Sequence, residues 1–137
     1  MQQPSVLIID DCEIERYMLV HQLNQIGVSD IVQKTDGTDG LAFLQDYEQN
    51  QHTYGTTFPP DLIILDVNMP LMGGFEFLQK FSELRTQLDL TKCQVLMYSA
   101  SNDPQEKQLA NQHDFVKGFI VKGELSFEAL KSQVLVL

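Results

Sequence analysis

Leu62-Ile63-Ile64-Leu65-Asp66-Val67-Asn68-Met69-Pro70-Leu71-Met72-Gly73-Gly74 is an apolar run closed by an acid, followed by a turn-rich stretch that opens a helical pattern. A Leu/Ile run bounded by Pro59-Pro60 on one side and by this turn on the other reads as a strand buried on both faces, as in parallel sheets. Proline disfavours helix in its predecessor, so the proline pair forces extended backbone into the strand. Beyond the glycines, Phe75, Leu78, Phe81 and Leu84 recur at helical spacing on one face.

The same design repeats along the chain. A first strand, about Ser5 to Asp10, leads into a helix carrying Leu19, Leu23 and Ile26 and stopping at Gly27. A second strand, near Ile31 to Lys34, turns at Asp36-Gly37 into a helix with Leu41, Phe43 and Leu44. That helix fades into a polar stretch, Gln45 to Phe58, which reads as a packed loop, long for this kind of fold and carrying Tyr47 and Tyr54. Fourth and fifth strands are expected at Gln94 to Ser99 and Gly118 to Val121. Between them Asp103-Pro104 is an N-cap followed by proline at the first helical position. A last helix, near Ser126 to Leu135, carries Phe127, Leu130 and Val134. Five strand–helix alternations imply an α/β fold built on a parallel sheet.

At 137 residues and 43% hydrophobic content the chain is the size of one domain with a core of its own, and residues 1–137 are expected to form that single domain with no output domain. Its 19 acids against 9 bases give a formal charge of -10, which repels DNA and anionic membranes. No apolar stretch approaches the roughly 18 to 20 residues of a membrane span, and Met1-Gln2-Gln3-Pro4 lacks a secretory start. A soluble, cytoplasmic protein is expected. Cys12 and Cys93 lack metal or redox spacing and are expected to be unbridged, with Cys12 a small buried residue. His21, His52 and His113 are scattered without ligand spacing.

The chemistry stands at the strand ends. Asp10 and Asp11 follow the first apolar run, Asp66 the third, Ser99 closes the fourth and Lys122 follows the fifth. Parallel α/β sheets bind ligands in the crevice beyond the carboxyl ends of their strands, so these residues converge on one pocket. Each alone has an ordinary reading: the acid pair as a helix cap, Ser99 as a strand-end hydroxyl, Lys122 as a solvated charge. Together they do not. Like charges sharing a pocket raise each other's pKa unless a cation intervenes, and a hard divalent ion, most simply Mg²⁺, takes such oxygen ligands. Mg²⁺ on carboxylates favours phosphate oxygens as further ligands, and Lys122 and Ser99 supply a charge and a donor for the same group. Asp66 is then the nucleophile best placed to accept a phosphoryl group.

Asp10-Asp11, Leu65-Asp66-Val67-Asn68-Met69-Pro70-Leu71-Met72-Gly73-Gly74, Ser99-Ala100 and Phe119-Ile120-Val121-Lys122 resemble the motifs of bacterial two-component response-regulator receiver domains, in order and over essentially the whole chain. The resemblance implies a flavodoxin-like, doubly wound (βα)5 sheet with strand order 2-1-3-4-5. It implies that Asp66 accepts a phosphoryl group from a sensor histidine kinase or a histidine phosphotransfer protein. Asp10, Asp11, Asp66 and the backbone carbonyl of Asn68 would hold Mg²⁺. Lys122 would pair with the phosphoryl oxygens, Ser99 would swing to hydrogen-bond one of them, and Phe119 would follow inward as the aromatic switch. The signal would leave through the surface of the fourth helix, fifth strand and fifth helix to a downstream protein not named by the sequence. Such a domain transfers phosphate to itself and slowly loses it, without being a turnover enzyme. One position departs from the family: Gly123 follows Lys122 where a proline in a cis peptide is usual. A non-proline cis bond costs about 2.5 to 4 kcal/mol, so Lys122–Gly123 is expected to be trans.

Two other functions fit less well. A haloacid-dehalogenase-like phosphatase carries a second aspartate two residues after its nucleophile, and Asn68, an amide, cannot transfer that proton. A flavodoxin binds its phosphate with a Ser/Thr/Gly-rich first loop, whereas Asp10-Asp11-Cys12-Glu13 repels one.

Overall fold

The computed structural model describes residues 4–123 and 126–137; Met1 to Gln3, part of the stretch read as lacking a secretory start, lie outside the described residues. The apolar runs are strands β1 (Val6–Ile9), β2 (Ile31–Lys34), β3 (Leu62–Leu65), β4 (Gln94–Ser99) and β5 (Val116–Val121). They pair in parallel in the order β2-β1-β3-β4-β5, the doubly wound order expected. Helices α1 (Glu13–Ile26), α2 (Gly37–Gln45), α3 (Tyr47–Tyr54), α4 (Gly74–Gln87), α5 (Pro104–Asn111) and α6 (Ser126–Leu135) make the connections and the final layer. Among the described residues no helix is long and apolar enough to cross a membrane.

Strand alternation divides the core in two, because successive side chains leave a strand on opposite faces. Leu7, Ile9, Ile63, Leu65, Val95 and Met97 pack with Leu41 and Leu44 of α2, Phe77, Leu78, Phe81 and Leu84 of α4, and Ala110 of α5. Val6, Ile8, Leu62, Ile64, Leu96, Tyr98 and Ile120 pack with Leu19 and Leu23 of α1 and Leu130 and Val134 of α6. Phe77 and Phe81 are fully buried and stacked at 5.6 Å between centroids, and each such side chain contributes about 1.5 to 3 kcal/mol. The buried aromatic near the start of α4 is therefore Phe77, with Phe75 only half-buried. Gly74, Phe77, Leu78 and Phe81 form one helical stripe, and the glycine sets that stripe against the sheet.

The segment read as a long loop is mostly helix. Tyr47–Tyr54 forms α3 and Gly55–Thr57 a 3₁₀ turn. Its sequence, YEQNQHTY, has no apolar period; aromatic packing fixes the segment instead. Phe58 is buried with its ring 5.5 Å from Phe43 and 5.3 Å from Tyr47, and Tyr54 closes on Phe43 at 5.9 Å. The buried Asn50 amide donates to the Phe43 carbonyl. With this extra helix, the fourth and fifth helices of the sequence pattern are α5 and α6.

Smaller corrections have local causes. β5 starts at Val116 rather than Gly118; a register shift opposite Val95 and Leu96 leaves Lys117 out of the ladder, which masks the earlier start. Asp36 is more than a turn residue: it is the N-cap of α2, accepting from the Asp39 N–H at 2.9 Å. Asp103 caps α5 as expected, accepting from the Gln105 N–H at 2.9 Å.

Candidate functional site

Register decides which side chains meet. Ile9 pairs with Leu65, Leu65 with Met97, and Met97 with Phe119, so these four residues form one row across the sheet. Asp10 and Asp66 are the next residues beyond that row, Ser99 closes β4 just past it, and Lys122 is the first residue after β5. The strand ends are also tied together, since Asp66 N–H donates to the Ile9 carbonyl at 3.0 Å and Lys122 N–H to the Ser99 carbonyl at 2.8 Å.

Asp10, Asp11 and Asp66 each offer a carboxylate oxygen within 4.8 Å of the others. Asp10 is 1% exposed and Asp66 7%, whereas Asp11 stands open to solvent. Neither acid of the first pair caps α1, whose N-cap is Cys12 without a side-chain bond. Instead Asp10 Oδ1 accepts the Cys12 N–H at 2.9 Å, closing the turn after β1, and Arg16 donates to the Asp10 carbonyl at 2.7 Å. That turn lifts Cys12 out of the core, so it is an exposed thiol and not the buried residue expected. Cys93 is buried, and burial pushes its thiol up to about 12. Both cysteines are free.

Lys122 reaches into the acid cluster, its Nζ 3.1 Å from Asp10 Oδ2 and 3.5 Å from Asp66 Oδ1. Asp66 Oδ1 also accepts the Val67 N–H at 2.9 Å. Burial and the neighbouring Asp10 carboxylate nonetheless outweigh these contacts and raise the Asp66 pKa to about 6. Burial acts against the Lys122 ammonium, but Asp66 and Asp10 overcome it and hold its pKa above the ordinary value. One ammonium thus serves a cluster of three carboxylates, contacting two of them, and Asp66 is the electrostatically unfavourable one. A hard divalent cation fits this oxygen-only donor set, and these residues suit Mg²⁺.

The loop after Asp66 is held against α4. Gly74 N–H donates to the Val67 carbonyl at 2.8 Å, and a Cβ at Gly74 would lie 2.5 Å from the Asp66 carbonyl oxygen. Asn68 is exposed beside the acids, Met69 is half-buried, Met72 is buried, and Leu71 is 84% exposed with φ 64°. At the other wall, Lys122–Gly123 is trans; the cis peptide among the described residues is Phe58–Pro59. Gly123 has φ 155°, a conformation that side chains rarely adopt and that proline, fixed near -65°, does not reach. Its carbonyl accepts the Ser126 hydroxyl at 2.7 Å at the start of α6. Gly123 therefore makes a turn of its own in place of the usual proline.

Ser99 is fully buried; its Oγ accepts the Ser101 N–H at 3.1 Å and donates to Glu106 Oε1 at 3.3 Å. Phe119 is half-buried against the core, with Lys107 Nζ 5.9 Å from its ring centroid. Glu106 and Arg16 are site neighbours that the sequence reading missed. Glu106 was visible only as an acid in a helix's first turn, and nothing in the spacing of Arg16 signals a bond to the Asp10 backbone. Also unforeseen is an exposed stripe on α1 beside the acid pair, Ile14, Tyr17 and Met18, 70%, 73% and 49% exposed and at helical spacing.

Residues 6–134 match the family model described as the response regulator receiver domain. The chain is 33% identical over 108 residues to the probable chemotaxis protein CheY of Rhizobium etli, covering 79% of this chain and 73% of that protein. It is 36% identical over 86 residues to the autoinducer 1 sensor kinase/phosphatase LuxN of Vibrio campbellii, but that match spans 63% of this chain and only 9% of LuxN. The solved structure of the Vibrio cholerae chemotaxis protein CheY4 superposes with a TM-score of 0.75 at 31% identity, covering 99% of this chain and all of that one. With its strand order, its acid cluster and a family match across nearly its whole length, the chain belongs to the response regulator receiver domain family.

Proposed function

We propose that the chain is a phosphorylation-controlled signalling switch whose acceptor is Asp66. The observation that carries this reading is the Asp66 carboxylate itself, nearly buried at a strand end, destabilised by Asp10 and reached by Lys122 at 3.5 Å. A carboxylate so placed gains from forming a covalent bond to an electrophile accompanied by cations. The donor is a phosphohistidine of a sensor histidine kinase or histidine phosphotransfer protein, and the exposed α1 stripe beside the acids offers it an apolar landing. An Asp66 carboxylate oxygen attacks phosphorus, the N–P bond breaks, and the imidazole leaves with the electron pair and takes up a proton. Lys122, in contact with both Asp10 and Asp66, follows the transferred charge and pairs with the phosphoryl oxygens.

Mg²⁺, held by Asp10, Asp11, Asp66 and the Asn68 backbone carbonyl, would supply the charge that screens the acids from the incoming phosphoryl group. Ser99 donates its hydroxyl proton to a phosphoryl oxygen, Phe119 turns inward, and the surface of α5, β5 and α6 changes for a downstream protein. Water later cleaves the acyl phosphate, returning the carboxylate and inorganic phosphate. Asn68, an amide, cannot act as a general acid or base in that step, so the phosphorylated form persists and the domain is a switch and not a turnover enzyme. A cytoplasmic location follows from a kinase partner.

Incubation with acetyl phosphate, with and without Mg²⁺, followed by intact mass spectrometry tests the reading. One phosphoryl adduct that requires Mg²⁺ and vanishes in Asp66→Asn is the expected result. An adduct that survives Asp66→Asn, or none from either acetyl phosphate or a phosphohistidine donor, would overturn it.

A further inference from the structure

We propose that the first turn of α5 is a latch holding both switch side chains in their resting positions, with Glu106 as the positioning residue for Ser99. The inference rests on Asp66 being the phosphoryl acceptor. Neighbouring residues of that turn engage the two switch residues: Glu106 Oε1 takes the Ser99 hydroxyl at 3.3 Å, and Lys107 Nζ lies 5.9 Å from the Phe119 ring centroid.

A serine hydroxyl has a single proton, and an ionised carboxylate is an acceptor only. The oxygen of Ser99 already receives the Ser101 N–H at 3.1 Å, so its proton is the one group left to donate, and Glu106 has it. A phosphoryl group on Asp66 therefore competes with Glu106 for that proton, and the two bonds exclude each other. At 3.3 Å the bond to Glu106 is longer than the usual O–H···O range, which makes it weak enough to exchange.

Losing it removes a tie between the end of β4 and the start of α5. Lys107 extends the same tie to β5. Its distance from Phe119 is near the outer limit of a cation–π contact, so an inward turn of the ring takes Phe119 out of reach and frees the same helical turn. Both switch motions thus release one element, and the resting state is favoured by what Glu106 and Lys107 contribute. Because both partners are particular to α5 and lie outside the acid cluster, they set how readily the domain switches without touching the phosphoryl group.

The test uses Mg²⁺ with beryllofluoride, a phosphoryl mimic, on the full chain. Glu106→Ala is expected to bind it about fivefold more tightly than wild type, the effect of one weak charge-assisted hydrogen bond. In a Ser99→Ala background the gain should vanish. Before any ligand is added, the Ser101 amide resonance of Glu106→Ala should already lie toward its beryllofluoride-bound position. Glu106→Gln, which preserves shape and helix, should give a smaller gain and keeps the test open if the alanine variant folds poorly. Unchanged affinity in both variants, or an equal gain without Ser99, which would assign it to loss of charge alone, would overturn the latch. A wild type that binds beryllofluoride and takes a phosphoryl group on Asp66 while the Glu106 variants gain nothing overturns the latch only. A wild type that does neither overturns the acceptor reading with it.

Discussion

Asp66 is held ionised at a cost to the fold. Burial and the neighbouring Asp10 carboxylate raise its pKa in the folded chain to about 6, against an ordinary value of 3.8. Between those values the folded state binds more protons than the unfolded one, so Asp66 lowers stability as pH rises through that window and is neutral to it below. Asp66→Asn removes the penalty. In chelator, the variant's urea midpoint should match that of wild type near pH 4 and exceed it at pH 7.5 by the equivalent of about 1 to 2 kcal/mol, after allowance for solvent screening. A difference that does not grow with pH, or that favours wild type at pH 7.5, would show that Lys122 fully offsets the burial and repulsion. At this scale the convergence of Asp66, the acid pair, Ser99 and Lys122 was legible because each interrupts, ends or follows an apolar run. Glu106 and Cys12 were not, since a hydrogen bond across a loop and the exposure of a turn depend on tertiary placement.

The elements position the site through close packing more than through any one bond. α4 begins where Gly74 meets the end of β3, and a Cβ there would come within 2.5 Å of the Asp66 carbonyl oxygen and 3.0 Å of Val67 Cα. Because both neighbours are backbone, Gly74→Ala must push α4 or the Asp66 loop aside. It should cost about 2 to 3 kcal/mol in urea unfolding, as overpacking does, and slow adduct formation from acetyl phosphate at saturating Mg²⁺. A variant with wild-type stability and rate would mean that the loop moves freely against α4. The strands were readable from their apolar runs and the helices from their periods and caps, but α3 was not. Its sequence carries no apolar stripe, and the helix exists because Tyr54 and Phe58 pack on Phe43 and Tyr47 packs on Phe58, a contact set that spans the segment and its neighbours.

For the whole molecule, the sheet gathers charge at the carboxyl ends of its strands, and α5, β5 and α6 meet Ser99, Phe119 and the Gly123 turn beside that charge. The strand order followed from the family resemblance and not from the runs themselves, since alternation fixes that a sheet is parallel but not how its strands are arranged. Switching from Asp66 to α5 is tested by the ¹⁵N–¹H spectrum of the chain with Mg²⁺, before and after beryllofluoride. Shifts are expected at Asp10, Asp66 and Lys122 that extend to Ser99, Ser101, Phe119 and the first turn of α5, leave α3 unmoved, and are absent from Asp66→Asn. Shifts confined to the acid cluster, or the same shifts in Asp66→Asn, would contradict it.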